Sequence, residues 1–109
     1  MIMEAFFIPD GYTQTAKIEA RPGVHPEALV TYRPALTDEY NAWRAEANSG
    51  DPKRKTKKDF ELIRSHLINL NGLPIPPEQI AKLKPQFVER LTDLILGYVG
   101  NEEAADLKN

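Results

Sequence analysis

Apolar residues recur at helical spacing through the second half of the chain. Intervals of three, four and three residues separate the positions of the first stripe: Phe60, Ile63, Leu67 and Leu70. Such a spacing places the side chains on one face of an α-helix. Thr56 suits the N-cap position, and Asn71-Gly72 supplies the left-handed residue with which helices commonly end. The pattern therefore predicts a central helix that begins at Thr56 and ends before Asn71.

Two shorter helices are predicted after the central one. Pro77-Glu78-Gln79 has the fixed φ and the early acidic residue of a helix start, and Pro85 ends this helix because it disfavours helical geometry at Lys84. Pro85 also suits the first position of the last helix, which Gly97 would cap. The apolar stripe of this last helix contains Phe87, Leu91, Leu94 and Tyr98. Residues 56–98 are thus predicted to form a helical hairpin with a corner braced by prolines.

The first part of the chain, residues 1–34, has the pattern of β-structure. Tyr12 to Ala20 alternates, with Ala16 and Ile18 on one face and threonine, lysine and glutamate side chains on the other. Met3 to Ile8 and Ala28 to Tyr32 are two further candidate strands, each followed by turn-forming residues. We expect a small antiparallel sheet of two or three strands.

A first helix, residues 37–48, connects the sheet to the hairpin. Thr37 is its predicted N-cap, and its apolar positions are Leu36, Tyr40, Trp43 and Ala47. Residues 49–58 then form a predicted basic loop, whose cations are Lys53, Arg54, Lys55, Lys57 and Lys58. The hairpin cannot bury all its apolar faces alone, so we expect one α+β domain over residues 1–109, with the sheet packed on three to four helices. Residues 99–109 are predicted to be a flexible tail.

Composition narrows the function classes. The chain has 109 residues, of which 41% are apolar, and a formal net charge of -2, so nothing attracts it as a whole to nucleic acid or membrane. There is no cysteine, which removes disulfides and thiolate metal sites. No apolar run has the length of a signal or membrane-spanning segment, and a cytoplasmic location is the expectation.

Few residues have the spacing that catalysis or metal binding needs. His25 lies in a loop rich in proline and glycine and His66 on the flank of the central helix, and neither has a second histidine or an acid at ligand spacing. We therefore expect a solvated loop histidine and a helix-flank histidine, with no metal, no cofactor and no enzymatic activity. Neither a glycine-rich phosphate loop nor the sequence context of a catalytic serine is present.

Two sets of residues are candidates for binding a partner. The five cations of the basic run could bind phosphates, although a solvated loop explains them more simply and no aromatic residue interleaves with them. The aromatic and aliphatic candidates on the first and last helices are Tyr40, Trp43, Phe87 and Leu91. Aromatic residues serve both in cores and at interfaces, and a core position is the simpler interpretation of all four.

Three short patches, taken in order, resemble a known family. They are the passage from Val30 to Leu36 with Glu39-Tyr40 after it, the segment from His66 to Leu70, and the stretch that runs from Leu73-Pro74-Ile75 through Lys84-Pro85 to Leu94 and Tyr98. Together they resemble the small tail assembly chaperones of long-tailed bacteriophages and prophages. The resemblance covers about two-thirds of the chain.

The resemblance implies a role without catalysis. Such chaperones coat the long helical tape measure protein, keep it soluble, help to recruit tail tube subunits, line up in many copies and are absent from the finished virion. It implies an α+β domain with an exposed apolar groove in the host cytoplasm. The alternative from the residues themselves is a small nucleic-acid-binding or regulatory adaptor that uses the basic run, although the acidic net charge makes nucleic acid the less expected partner.

Overall fold

A computed structural model of the protein describes residues 6–98. Within this part of the chain the elements follow one another in the order β1 (Gln14–Ile18), β2 (Ala28–Tyr32), α1 (Thr37–Ala47), α2 (Pro52–His66), β3 (Leu67–Leu70), a 3₁₀ helix (Pro77–Lys82) and α3 (Pro85–Leu96). The predicted α+β class, with a small antiparallel sheet and a set of helices, is confirmed. The predicted tail, 99–109, lies outside the described residues.

The sheet has the order β1-β2-β3, and both pairings are antiparallel. Ala16 lies opposite Val30, and Val30 lies opposite Leu70, so β2 is the central strand. The alternation predicted between Tyr12 and Ala20 is confirmed in β1, because Ala16 and Ile18 are buried while Thr15 is exposed.

The candidate strand Met3 to Ile8 is not observed in its described part. Phe6 to Ile8 belong to no strand, and residues 3–5 lie outside the described range.

The third strand comes from a segment that was predicted to be helical. The central helix ends at His66, and Leu67–Leu70 pairs with β2 instead of continuing the helix. Asn71 and Gly72 both have positive φ, 53° and 82°, as a two-residue hairpin turn requires. Asn71 also ties the turn to β2: its backbone N–H donates to the Leu29 carbonyl at 2.7 Å, and its Oδ1 accepts the Leu29 N–H at 2.8 Å. Leu67–Leu70 therefore pairs with the free edge of β2 as a strand, although the spacing of Leu67 and Leu70 is also that of a helix.

The central helix also begins earlier than predicted. Asp51, not Thr56, is its N-cap, and the Asp51 Oδ1 accepts the backbone N–H of Lys53 at 2.9 Å. Pro52 occupies the first helical position, where its missing N–H costs nothing. The prediction of a basic loop at residues 49–58 is therefore wrong for residues 52–58, which form the first turns of α2. Similarly, Leu36 rather than Thr37 caps α1, and the Glu39 carboxylate accepts the Leu36 N–H at 2.9 Å.

The core lies between the inner face of the sheet and the helices. The least exposed apolar side chains, at 0% to 2%, come from every layer: Ala16, Ile18, Val30, Ile63, Ile80, Leu91, Leu94 and Ile95. Contacts of α2 with both α1 and α3 make it the middle helix. The last helix begins at Pro85 and ends at Gly97, whose φ of 90° is the left-handed cap that the sequence predicts.

Candidate partner-binding surfaces

Three of the four residues predicted to bind a partner are buried in the core. Trp43, Phe87 and Leu91 are 8%, 6% and 0% exposed. The Trp43 indole Nε1 donates to Asp59 Oδ1 at 2.6 Å, and Lys55 Nζ donates to the other oxygen of the same carboxylate at 3.0 Å. Lys55 also lies 5.8 Å from the centre of the Trp43 ring, within cation–π range. These contacts join α1 to α2, so Trp43 positions one helix on the other.

The fourth residue, Tyr40, lies half-buried at the edge of this cluster. Its ring is 5.6 Å from that of Tyr98, and the two hydroxyl groups are hydrogen-bonded. The hydrogen bond to Tyr40, with some burial, raises the pKa of Tyr98. Tyr98 is 51% exposed, so about half of its side chain is open to solvent while Tyr40 is half-buried. The four predicted residues therefore do not form an exposed surface for a partner.

His66 is buried, not merely placed on a helix flank. It is 2% exposed, and its Nδ1 lies 2.8 Å from the Arg33 carbonyl oxygen while its Nε2 lies 3.0 Å from Glu39 Oε2. A carbonyl oxygen only accepts, so Nδ1 carries a proton and donates it. Both ring nitrogens are occupied, which leaves neither free to act as a base.

His25 is also buried, at 8% exposure, so the prediction of a solvated loop histidine is wrong. Its ring packs edge-on against Phe87 at 4.9 Å, and its Nδ1 donates to the Pro26 carbonyl oxygen at 2.8 Å. Its Nε2 has no hydrogen-bond partner within the described residues. Residues 6–98 contain no group of three histidine or carboxylate side chains that could hold a metal ion.

The five cations of the basic run lie on the first turns of α2, and three of them are paired. Arg54 pairs with Glu46 of α1, Lys55 with Asp59, and Lys58 Nζ with Glu61 Oε2 at 3.5 Å. Lys53 and Lys57 are exposed and have no ion pair within residues 6–98. Carboxylates therefore neutralise three cations of the run, and Lys53 and Lys57 keep a charge that is unpaired among the described residues.

A surface that the sequence did not single out lies at the start of the described chain. Its members are large apolar side chains that are 39% to 77% exposed: Phe6, Phe7, Ile8, Tyr12 and Leu36. Ile8, Tyr12 and Leu36 line one cleft of about 140 Å³, and Phe6 and Phe7 directly precede Ile8. We call these five residues the N-terminal patch. Burial, with neighbouring Tyr12, raises the pKa of the core residue Tyr32 to about 12.

Comparisons of the chain with protein-family models, with curated proteins and with solved structures find no match. Within residues 6–98, no helix combines the length and the apolar character needed to cross a membrane.

The apolar run Phe6-Phe7-Ile8 was the signal that could have revealed the N-terminal patch. Its composition also suits a strand whose side chains are half-buried, so composition alone does not indicate a binding surface. The spacing of Leu36 likewise fits the apolar stripe of α1, whereas Leu36 is the N-cap residue and is 45% exposed.

Proposed function

We propose that this protein is a non-enzymatic assembly chaperone that binds a helical segment of a larger protein. The observation that carries the proposal is the N-terminal patch. Three of its five exposed apolar side chains line one cleft, and a large exposed apolar patch usually marks an interaction site. A partner that covered the patch would gain about 1.5–3 kcal/mol for each large apolar side chain fully removed from water.

The identity of the partner comes from the resemblance of the sequence to tail assembly chaperones. We infer a tape measure protein as the ligand, recruitment of tail tube protein as the consequence, and several copies of the chain along one partner. The site of action is the cytoplasm of the host cell, and the finished virion lacks the chain. A tape measure protein is long and helical, and an amphipathic helix offers the apolar stripe that a patch of this kind binds.

The contacts of the polar side chains support a role without catalysis. Both nitrogens of His66 are engaged, and the Ser65 hydroxyl donates to the Glu61 carbonyl oxygen at 2.9 Å. A serine nucleophile would need a histidine nitrogen free to accept its proton.

The alternative function, a nucleic-acid-binding adaptor, draws on the basic run. Arg54, Lys55 and Lys58 already have carboxylate partners, and the formal net charge of the chain is -2. Because affinity for nucleic acid grows with the number of phosphates neutralised, the two cations of the run that are unpaired within residues 6–98 favour this alternative less than the N-terminal patch favours a protein partner.

The experiment that tests the proposal is co-expression with the longest helical protein encoded beside this chain, followed by affinity capture and light scattering. The wild-type chain should give a soluble complex with several copies per partner. The double substitution Phe7→Ser/Leu36→Ser should weaken capture at least tenfold, about 1.4 kcal/mol. Serine is a preferred N-cap residue, so this change should not weaken α1.

The matched control is Leu29→Ser/Leu73→Ser. These two leucines are 50% and 69% exposed, and they lie near the other end of β2 from Leu36. Capture by the control variant should equal that of the wild type. Equal loss in both variants, or a wild-type chain that captures nothing, would refute the proposal.

A further inference from the structure

One face of α2 collects the cations that the ion pairs leave unpaired. Lys53, Lys57 and Arg64 recur with Phe60 at intervals of four, three and four residues. This spacing places all four side chains on one stripe of the helix. Together they border a shallow concavity of about 450 Å³. We call these four residues the α2 basic face.

The contacts of the neighbouring cations set this face apart. Arg54, Lys55 and Lys58 point their charges at Glu46, Asp59 and Glu61. Lys53 and Lys57, from the same two turns, have no such partner in the described chain. Cations in the first turns of a helix also oppose its macrodipole, so an anionic ligand there would relieve an unfavourable interaction.

Phe60 gives the face an apolar centre. It is half-buried, and the Arg64 guanidinium lies 5.9 Å from the centre of its ring. Arg64 Nε also reaches the Pro77 carbonyl oxygen at 3.4 Å, which holds the side chain over the ring. The face thus has two exposed lysines at one end, an aromatic ring, and a guanidinium in contact with that ring and with the Pro77 carbonyl oxygen.

We propose that the α2 basic face binds an acidic helix of a protein partner. The stripe from Lys53 to Arg64 spans eleven residue steps, about 16 Å along the axis, which is three turns of a partner helix. Carboxylates at matching intervals would meet the three cations, and one apolar side chain between them would meet Phe60. The inference rests on the proposed function only in taking a helical protein segment as the partner, and it adds a second surface with its own chemistry.

Charge decides between this partner and nucleic acid. A duplex presents phosphates along its whole length, far beyond the three cations of the face, and the formal net charge of -2 supplies no further attraction to it. An acidic helix needs only three local contacts and also uses the aromatic ring. The face therefore complements a short acidic helix better than a polyanion.

The test uses the full chain and a synthetic helical peptide of about 20 residues, long enough to hold a helix. The peptide carries glutamates that match Lys53, Lys57 and Arg64 and a leucine that matches Phe60, and its twin carries glutamines in place of the glutamates. Fluorescence anisotropy of labelled peptide should show binding of the acidic peptide only. The affinity should fall as sodium chloride rises, because salt screens exposed charge pairs.

Two double variants remove the same charge from the same helical turns. Lys53→Gln/Lys57→Gln should weaken binding roughly fivefold, the loss expected for two exposed ion pairs. Arg54→Gln/Lys58→Gln, which removes cations that are already paired, should change the affinity less than about twofold. Circular dichroism of both variants shows whether α2 is retained.

The opposite results overturn the proposal. Equal weakening in the two variants would show that total charge, not the α2 basic face, attracts the peptide. Tighter binding of labelled duplex DNA than of the acidic peptide would assign the face to nucleic acid. If Phe7→Ser/Leu36→Ser loses capture and the chain does not bind the peptide, the chaperone role stands and this second surface is refuted. If the chain binds the peptide but captures no tape measure protein, the second surface stands and the chaperone role is refuted.

Discussion

The polar side chains buried along α2 differ from those buried near α3. Asp59 and His66 of α2 have hydrogen-bond partners on α1, on α2 itself and on the β2–α1 connection. Near α3, the His25 Nε2 and the Thr92 Oγ1 are buried without a partner among the described residues. All four residues are at most 8% exposed, so burial alone does not separate the two regions.

The difference shows how each helix is held. Leaving a buried polar group without a partner costs about 1–3 kcal/mol, and removing one member of a bonded pair creates that situation for the other. Along α2 the polar contacts therefore fix the position of α1 against α2. Near α3 the Arg90 guanidinium donates to the Glu19 carbonyl oxygen at 2.9 Å and the Ile95 carbonyl oxygen accepts the Ala35 N–H at 3.0 Å, but the two buried groups without a partner among the described residues reduce the stability of this region.

The largest effect should come from Asp59→Ala. This change leaves the Trp43 N–H without an acceptor in the core and Lys55 without its carboxylate. We expect the free energy of unfolding to fall by about 3 kcal/mol. Urea denaturation followed by Trp43 fluorescence measures it. Asp59→Asn keeps an oxygen for the indole and should lose about half as much, and a loss below about 1 kcal/mol for Asp59→Ala would contradict the comparison.

The same substitution should cost more at His66 than at His25. His66→Phe leaves the Arg33 carbonyl oxygen without its donor and removes the contact with Glu39, and we expect a loss of about 2 kcal/mol. His25→Phe leaves the Pro26 carbonyl oxygen without its donor but also removes the unbonded nitrogen and keeps a ring against Phe87, so the two effects offset each other and stability should change by less than about 1 kcal/mol. Thermal and urea unfolding of both variants provide the measurement. Similar losses at the two positions would show that the histidines do not differ as their contacts indicate.

A smaller gain should follow from Thr92→Val. The two side chains have the same shape and both are β-branched, so the change removes the unbonded hydroxyl without altering packing or χ1 freedom. We expect the free energy of unfolding to rise by about 1 kcal/mol. Thr56→Val, at an exposed position of α2, is the control and should change stability by less than about 0.5 kcal/mol. Destabilisation by Thr92→Val would mean that its hydroxyl has a partner.

The smallest effect should be a pH-dependent one at Asp93 of α3. Burial, followed by the nearby Glu89 and by Asp59, raises the pKa of this carboxyl despite the opposing effect of Lys55. Because the folded pKa exceeds the unfolded one, folding favours the protonated acid, and stability falls as pH rises from the unfolded value through the folded value. Asp93→Asn should therefore stabilise the protein at pH 7 by a few tenths of a kcal/mol, since solvent screens a half-exposed group.

Asp93→Asn should have no effect at a pH below both pKa values, where the wild-type carboxyl is already neutral. Urea unfolding at pH 3 and pH 7 separates the two conditions. A stabilisation of equal size at both would assign the gain to packing rather than to charge.

The helices whose pattern is uninterrupted could be predicted from the sequence. The last helix follows Pro85, carries one continuous apolar stripe and ends at Gly97, so local signals and packing agree. The central helix could not be delimited in this way, because Leu67 and Leu70 fit the helical stripe and yet pair with a strand far away in the chain. The sequence did contain the contrary signal, since Asn-Gly between apolar residues is typical of a hairpin turn.

The candidate surfaces were less predictable than the fold. The spacing of Lys55 with Asp59 and of Lys58 with Glu61 is readable as helical ion pairing once α2 is known to begin at Pro52. The pairing of Arg54 with Glu46 cannot be predicted from spacing, because it depends on how α1 packs on α2. Exposure of the N-terminal patch also depends on tertiary structure, since Phe6 to Ile8 have the composition of a buried strand.

The position of β3 in the chain has a consequence for folding during synthesis. When β1 and β2 leave the ribosome they form only a two-stranded hairpin, which is marginally stable in water. Val30 meets Leu70 only after both α1 and α2 have been made, so the third strand closes a long loop and pays its entropy. Proteins whose native contacts join distant residues fold more slowly than those with local contacts. The sheet of this protein should therefore be completed late, after the helices that carry β3 back to it.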